Sequence, residues 1–284
     1  MSDTIRRISG GMATLSGGTR RTLDLDRPWQ NQGKKINPST CPFCTKNEQP
    51  ISRHDHGAGG KWKVLQNLYT PYEFHRLVMP EGPCWPENEL RVLGGPERLA
   101  GGLKTVREAM PVHDAPRECV IGINVGDFVR QTIGHFHIHV TNSVYLGENT
   151  PAEALTFTED LVVFRDRGLT VVADGFRAGQ CFIQPETNSG FLSWTSTTEE
   201  DLAYVLHRLV VLGNEKFRSL QGFPPDFTIG IEVCRGMFSE VLYTPILTHP
   251  GFPEMLAVRR MNRQQAFTLP WPHKVTAKHL RGEI

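Results

Sequence analysis

The stretch that most constrains this chain is residues 134–141, which read Gly-His-Phe-His-Ile-His-Val-Thr. His135, His137 and His139 alternate with apolar residues, and this period of two predicts a half-buried strand. Alternation would place the three imidazoles on one face, about 7 Å apart, with an apolar face opposite. Because neutral rings need hydrogen-bond partners and charged rings repel each other, the cluster indicates chemistry rather than a solvated strand.

The composition excludes several classes of function. The chain has 284 residues, 39% of them hydrophobic, and a formal net charge of +1. This size suits one large domain or two small ones, and the near-neutral charge gives no general attraction to nucleic acid or to membranes. No apolar run approaches the roughly 18 residues of a spanning helix, and the N-terminal residues lack an apolar signal core. We therefore expect a cytoplasmic protein without nucleic-acid or membrane partners.

A second motif is the Cys-x-x-Cys pair formed by Cys41 and Cys44. Six cysteines in a chain of this length are too few for a disulfide scaffold, so the pair is either redox-active or half of a zinc site. A redox pair usually starts a helix after a strand, whereas the flanks here are rich in turn-forming residues. The sequence favours zinc.

A zinc site needs two further ligands. Cys84 and His135 are the candidates, although Cys84 could equally be an ordinary buried thiol and His135 could order the following residues without a metal. His54 and His56 are nearer to the cysteine pair but lie in a glycine-rich loop, so they are less favoured.

The pattern of apolar residues divides the chain into an N-terminal arm at 1–40, with one or two edge strands, and two halves at 41–150 and 151–284. The second half repeats the order of the first. The expected elements are strands at 62–67, 74–80 and 118–125, a helix at 96–110 weakened by two glycines, and a helix at 197–219. The segment Ile229–Ile231 echoes Ile121–Ile123, and Tyr243, Pro245 and Leu247 fall where the histidines would stand. We expect an α+β fold that keeps its chemistry in the first half.

These motifs together resemble the histidine-triad superfamily, whose signature is His-x-His-x-His followed by apolar residues. In that family an Asn stands eleven residues before the first histidine, as Asn124 does here, and a Gln-Ser/Thr pair matches Gln131 and Thr132. A further His in a His-x-Leu-Val-x-Pro strand is matched by His75, with Asn67 eight residues earlier in the place of a nucleotide contact.

Within the superfamily, the doubled architecture, the cysteine pair and the tail at 272–281 are similar to the galactose-1-phosphate uridylyltransferase branch. The resemblance implies two tandem halves, an antiparallel sheet with helices packed on it, a structural zinc and a homodimer. Three features depart from that branch, the first being that the second half lacks the histidines of the branch's extra metal site. His139 stands where the branch has glutamine, as it does in the hydrolase branches, and Cys84 is close to the place of an expected zinc-binding histidine.

The chemistry implied by the resemblance is attack by His137 on a nucleotide α-phosphate, which gives a covalent nucleotidyl-histidine. A neutral imidazole can act as nucleophile near pH 7 if its other nitrogen donates, for example to a backbone carbonyl. The other predicted catalytic residues are His139 and His75. The predicted nucleotide and phosphate contacts are Asn67, Asn124, Gly126, Gln131 and Thr132.

The sequence leaves three functions open. A sugar-phosphate acceptor makes the protein a nucleotidyltransferase. Inorganic phosphate or water makes it a phosphorylase or hydrolase of dinucleoside polyphosphates or nucleoside phosphoramidates, which the third histidine favours. A non-enzyme would bind one metal through all three histidines. The basic residues Arg259, Arg260 and Arg263 are either an acceptor-phosphate site or a solvated face.

Overall fold

The structure is a computed structural model. It describes residues 4–8, 11–15, 41–45, 49–67, 74–109, 118–126, 131, 134–142, 158–173, 179–186, 192–234, 237–247 and 273–284. The predictions for Thr132 and for Arg259, Arg260 and Arg263 lie outside these residues.

Thirteen strands and five helices lie within the described residues. The strands are β1 (Thr4–Ile8), β2 (Gly11–Leu15), β3 (Ser52–Asp55), β4 (Lys61–Gln66), β5 (His75–Pro80), β6 (Glu118–Val125), β7 (Ile138–Asn142), β8 (Val162–Asp166), β9 (Leu169–Ala173), β10 (Cys181–Pro185), β11 (Leu192–Ser193), β12 (Asp226–Cys234) and β13 (Met237–Ile246). The helices are α1 (Pro42–Thr45), α2 (Glu87–Leu90), α3 (Pro96–Ala109), α4 (Ser196–Gln221) and α5 (His273–Arg281). None of these helices combines the length and the apolar character that crossing a membrane requires.

Eleven of the described strands form one sheet in the order β3-β4-β5-β7-β6-β12-β13-β10-β9-β8, with β11 paired to β13. Every pairing in it is antiparallel. Strands β1 and β2 pair only with each other, in a separate two-stranded sheet. The large sheet with helices packed on it confirms the predicted α+β class.

The strand order is symmetrical about the β6–β12 pair. At this centre Ile121 lies opposite Ile231, Gly122 opposite Gly230, and Ile123 opposite Ile229, so the two segments that echo each other in sequence are direct neighbours. A duplicated unit would produce this order. The division of the chain at residues 40 and 150 remains a prediction, because both positions lie outside the described residues.

The register of the second half corrects one expectation. In the first half the third histidine lies opposite the glycine of β6, and the equivalent glycine of β12 lies opposite Leu242. The counterparts of the last two histidines, His137 and His139, are therefore Glu240 and Leu242. The placement of Tyr243, Pro245 and Leu247 at the histidine positions was wrong by five residues, because Leu247 was expected where Leu242 lies. A shift by an odd number of residues reverses the face of a strand, and Tyr243 is accordingly buried in the core.

Helix α3 confirms the helix predicted at 96–110, and its two glycines have a packing role. A Cβ on Gly101 would lie 2.4 Å from the carbonyl oxygen of Gly59, and one on Gly102 would lie 2.7 Å from the Trp62 ring. The Trp62 indole N–H donates to the same Gly59 carbonyl at 2.7 Å. The glycines lower helix propensity but let α3 pack directly on the β3–β4 turn and on the sheet.

A buried ion pair joins the long helices of the two halves. The Glu199 carboxylate near the start of α4 is 1% exposed, and it accepts from Arg107 of α3 at 2.7 Å and from the Trp194 indole at 2.6 Å. The side chain of Thr195 caps α4 by accepting from the backbone N–H of Thr198. Helices α3 and α4 therefore lie together on one face of the sheet.

We predict that Gly101→Ala lowers the free energy of unfolding by roughly 1–3 kcal/mol, because the added methyl group would meet backbone atoms that cannot move aside. Urea denaturation followed by circular dichroism measures the change. Lys104→Ala, on the same helix, should stay within about 0.5 kcal/mol of the native chain. Equal stabilities of Gly101→Ala and the native chain would contradict the packing argument.

Candidate active site and metal centre

The histidine stretch is only partly a strand, which corrects the expectation of three rings on one face. Strand β7 begins at Ile138, so His135 and His137 precede it. Strand β5, its neighbour, ends at Pro80, which has no N–H to continue the ladder. The His135 ring instead donates from Nε2 to the Pro80 carbonyl at 3.1 Å and is fully buried. His135 therefore occupies a different environment from His137 and His139.

Strand register gathers the other predicted residues on one face of the sheet. His139 lies opposite Leu77 of β5 on one side and Gly122 of β6 on the other, and His75 lies two residues from Leu77. By the same alternation Asn124 shares this face. A Cβ on Gly122 would lie 3.8 Å from the His139 Cβ, so the glycine leaves room beside the imidazole. We call this surface the histidine face.

Four predicted metal ligands meet beside the histidine face: Cys41, Cys44, Cys84 and His135. Their ligand atoms all lie within 4.8 Å of one another. His135 Nδ1 is 3.3 Å from Cys44 Sγ and 3.6 Å from Cys84 Sγ, and the two sulfurs are 3.6 Å apart. Sequence analysis predicted all four, and the less favoured His54 and His56 lie elsewhere.

The spacing fits a tetrahedral metal ion. With metal–sulfur bonds of about 2.3 Å and metal–nitrogen bonds of about 2.0–2.1 Å, tetrahedral geometry requires S···S near 3.8 Å and S···N near 3.6 Å. His135 Nδ1 is 3.9 Å from Cys41 Sγ, the longest of its three thiol contacts. A disulfide would instead need sulfurs about 2.05 Å apart. The cluster could therefore hold a metal ion such as zinc, and Cys41 and Cys44 are free thiols in this structure.

Protonation at this centre suits a metal ligand set. Burial lowers the pKa of His135 to about 4, so the ring is neutral near pH 7. Since its Nε2–H donates to Pro80, the Nδ1 lone pair points at the thiols. Burial also raises the pKa of the Cys41 and Cys84 thiols. Buried thiolates are stable only beside positive charge, which a divalent cation supplies.

His137 has the tautomer that a nucleophile needs. Its Nδ1 lies 2.7 Å from the backbone carbonyl of His135, an acceptor, so Nδ1 carries the proton and Nε2 keeps its lone pair. Burial lowers the pKa of His137, which favours the neutral ring. The His137 and His139 ring centroids are 4.7 Å apart and nearly perpendicular.

His139 and His75 form a hydrogen-bonded pair. His75 Nε2 lies 2.9 Å from His139 Nδ1, and the Asn67 amide nitrogen lies 3.2 Å from the His75 ring. The backbone N–H of Asn67 also donates to the His75 carbonyl at 2.9 Å. The structure thus places His75 beside His139.

The remaining predicted contacts lie at the end of β6. The backbone N–H of Gly126 donates to the Gln131 side-chain carbonyl at 2.9 Å, and the Gln131 N–H donates back to the Gly126 carbonyl at 3.1 Å. A Cβ on Gly126, at φ +106°, would overlap the Asp226 carboxylate. The Gln131 amide nitrogen is buried and has no hydrogen-bond partner among the described residues. Asn124 is half-buried on the histidine face.

Phe43 links the metal centre to the histidines, and sequence reasoning missed it. It lies between the two cysteines, and its ring is 5.9 Å from the His135 ring and 6.1 Å from the His137 ring. It packs on a small apolar cluster on the histidine face, and its carbonyl accepts from Lys63 at 3.0 Å. The one sequence feature that could have pointed to Phe43 is its position inside the Cys-x-x-Cys motif.

The described residues do not support a metal site made of all three histidines. They contain two groups of at least three clustered metal-ligating side chains. One is the cysteine–histidine cluster, and the other consists of His54, His56 and Glu108. His135 belongs to the first group, whereas His137 and His139 belong to neither.

Three solved structures resemble this one over most of the chain. An ADP-glucose phosphorylase from Arabidopsis thaliana, with bound ADP-glucose, has a TM-score of 0.60 at 16% identity and matches 99% of this chain and 98% of its own. A uridylyltransferase has a TM-score of 0.58 at 14% identity, over 98% and 97% of the two chains. A GALT-like protein from Arabidopsis thaliana has a TM-score of 0.58 at 15% identity, over 87% and 93%.

The chain shares the fold of these three structures, which we call the uridylyltransferase fold. The resemblance predicted from the motifs is thereby confirmed for the fold. The sequence matches no protein-family model and no curated protein. Within the uridylyltransferase fold, the first half of this chain carries both the metal cluster and the histidine face.

We predict that metal affinity at the cysteine–histidine cluster falls by at least about 100-fold per pH unit from pH 8 to pH 6. Binding must remove protons from Cys41 and Cys84, whose pKa values are raised, while His135 stays neutral throughout this range. Titration with cobalt(II), followed by thiolate-to-metal absorbance, measures the affinity. Cys84→Ser should weaken binding and reduce the slope, whereas Cys119→Ala, a core thiol outside the cluster, should change neither. A pH-independent affinity would contradict the assignment.

Proposed function

We propose that the protein is a nucleotidyltransferase that acts on the α-phosphate of a nucleotide sugar or a similar nucleotide through a covalent intermediate on His137. The observation that carries the proposal is the hydrogen bond from His137 Nδ1–H to the His135 carbonyl, which leaves the Nε2 lone pair available. Nε2 attacks phosphorus, and the bond from phosphorus to the leaving-group oxygen breaks. An acceptor oxygen then attacks the same phosphorus and releases the imidazole.

The pair of His75 and His139 supports a role in stabilising phosphate charge. If Asn67 donates to the His75 ring, then His75 donates to His139 Nδ1, and His139 keeps its proton on Nε2. A neutral imidazole would then present an N–H to a non-bridging phosphate oxygen, where developing charge needs a donor. In this scheme His75 and Asn67 position His139.

The end of β6 supplies further candidate donors for the nucleotide. The buried Gln131 amide nitrogen, unpartnered among the described residues, would gain a partner in a phosphate oxygen. We propose Asn124, Gly126 and Thr132 as additional phosphate contacts and Asn67 as the contact to ribose or base. This last role competes with its hydrogen bond to His75.

Zinc is the metal proposed for the cysteine–histidine cluster, because three thiols and one imidazole suit its tetrahedral preference and leave no open position for catalysis. When bound, zinc supplies positive charge that stabilises the buried thiolates. His135 would then position the nucleophile. Its ring is fixed by the hydrogen bond to the Pro80 carbonyl, and its own backbone carbonyl accepts from His137 Nδ1–H. Phe43 packs against both rings.

The acceptor distinguishes the first proposal from the second, a phosphorylase or hydrolase. His139 favours the second, because the uridylyltransferase branch carries glutamine at that position. The ADP-glucose phosphorylase with a TM-score of 0.60 also supports an acceptor other than a sugar phosphate. Phosphate would convert the nucleotidyl-histidine to a nucleoside diphosphate, and water would convert it to a monophosphate. A homodimer is proposed from the resemblance alone.

We predict that His137→Gly reduces turnover by at least about 10³-fold, because the nucleophile is lost. Intact mass spectrometry of the native chain after incubation with ADP-glucose, UDP-glucose or a dinucleoside polyphosphate should reveal one added nucleotidyl group, labile to acid and stable to base. His207→Gln, in α4 on the other side of the sheet, should keep both activity and label. Full activity of His137→Gly would end the proposal.

The acceptor is tested by supplying the labelled enzyme separately with glucose 1-phosphate, inorganic phosphate or buffer alone. Release of a nucleotide sugar only with the sugar phosphate would support the transferase. Release of a nucleoside diphosphate with inorganic phosphate would support the phosphorylase, and release of the monophosphate at the same rate in all three would support the hydrolase. A label that no acceptor removes would contradict both proposals.

A further inference from the structure

We propose that His54, His56 and Glu108 form a second metal site, which takes a divalent transition metal such as zinc and is separate from the cysteine–histidine cluster. The ligand atoms are one ring nitrogen of each histidine and one carboxylate oxygen, all within 4.8 Å of one another. His54 Nδ1 lies 3.0 Å from Glu108 Oε2, and His56 Nε2 lies 3.9 Å from the same oxygen.

These distances fit first-row metal geometry. Metal–nitrogen and metal–oxygen bonds of about 2.0–2.1 Å at a tetrahedral centre separate the ligand atoms by about 3.3 Å, which lies between the two measured distances. The two imidazoles are stacked, with centroids 6.1 Å apart and an interplanar angle of 20°. Two imidazoles and one carboxylate suit zinc, iron or nickel rather than calcium or magnesium, which prefer oxygen.

The surroundings of the cluster orient its ligands. The nitrogen of His54 that does not face Glu108 lies 2.9 Å from the Ser52 hydroxyl, the type of contact that fixes the tautomer of a metal-binding histidine. His56 Nε2 lies 2.8 Å from the Thr105 hydroxyl, which itself donates to the Gly101 carbonyl and therefore accepts from the His56 N–H when no metal is bound. A metal ion at this nitrogen would replace that proton. Thr105 therefore holds the His56 ring against α3, one turn before Glu108.

A cation would also stabilise the negative charge of Glu108 at its position in α3. It lies in the last turn of α3, where the unpaired carbonyl groups of the helix disfavour a negative side chain. Among the described residues, its ion-pair partners are the two histidines, which carry positive charge only when protonated. A divalent ion would supply that charge at neutral pH without protonating either ring.

The site lies on the sheet face opposite the histidine face. His54 lies opposite Trp62 in the β3–β4 pair, and Trp62 packs against Gly102 of α3. His56 lines a cleft of about 330 Å³ between α3 and the start of α4, which Lys104 and Arg167 also line. A metal here would tie the edge strand β3 to the C-terminal turn of α3, and it would take no part in chemistry at His137.

Cobalt(II) binding to the full-length, metal-stripped protein tests the proposal. Total bound metal comes from elemental mass spectrometry, and the occupancy of the cysteine–histidine cluster comes from thiolate-to-cobalt absorbance. The native chain should bind two equivalents, one of which contributes no thiolate absorbance. His54→Gln and Glu108→Gln should each bind one equivalent with undiminished thiolate absorbance. Glu97→Gln, on the same helix but outside the cluster, should bind two.

Cys44→Ser separates the two sites, because it should reduce the thiolate absorbance while the second equivalent remains. Circular dichroism confirms that each variant is folded, and Glu108→Gln preserves side-chain volume and hydrogen-bonding capacity. A native chain that binds a single equivalent would overturn the proposal. So would a second equivalent that persists in both His54→Gln and Glu108→Gln, since the three side chains would then form only a hydrogen-bonded cluster.

Discussion

The hydrogen bond from His137 Nδ1 to the His135 carbonyl is the interaction on which the candidate active site depends. It connects the cysteine–histidine cluster to the second histidine of the motif. The His135 ring faces three thiols, while its backbone carbonyl accepts from His137. The ring is held on its other side by the Pro80 carbonyl. A metal ion bound at His135 would therefore set the position of His137, the proposed nucleophile, through the His135 backbone carbonyl.

The contacts of His135 are made possible because β7 begins only at Ile138, after the first two histidines. A ladder that continued to His135 would place all three rings on one face, about 7 Å apart, and would leave the cysteines without their fourth ligand. Pro80 stops the pairing, and the chain turns His135 into the interior. Phe43 then fills the space between the His135 and His137 rings. The start of β7 at Ile138 thus separates His135, the candidate metal ligand, from His137, the proposed nucleophile.

The sheet supplies the rigid support for this arrangement. The central β6–β12 pair joins two halves of the same strand order, and α3 and α4 cover one face while the histidines lie on the other. Glycines permit the close contacts: Gly101 and Gly102 bring α3 onto the sheet, and Gly122 leaves space beside His139. In the second half Glu240 and Leu242 stand at the positions of His137 and His139, so that half contributes support rather than a second triad.

The local pattern of apolar residues was sufficient to predict most of the strands and helices. The strand Glu118–Val125 and the helix from Pro96 were predicted almost to the residue, because each has a clear period and a clear boundary. The period-two pattern failed at His135, because the neighbouring strand ends at Pro80. The five-residue error in the second half arose because the order of the elements was predicted without the register of the strands. Phe43 gave no periodic signal at all.

The sequence by itself determined the histidine stretch, the cysteine pair, the α+β class and the resemblance to histidine-triad proteins, because these depend on spacing along the chain. Only the tertiary structure decided which face each histidine occupies, that His75 meets His139, and that His54 and His56 meet Glu108 rather than the cysteines. Cys41 and His135 are 94 positions apart, and no local pattern reports which side chains the folded sheet brings together over such distances.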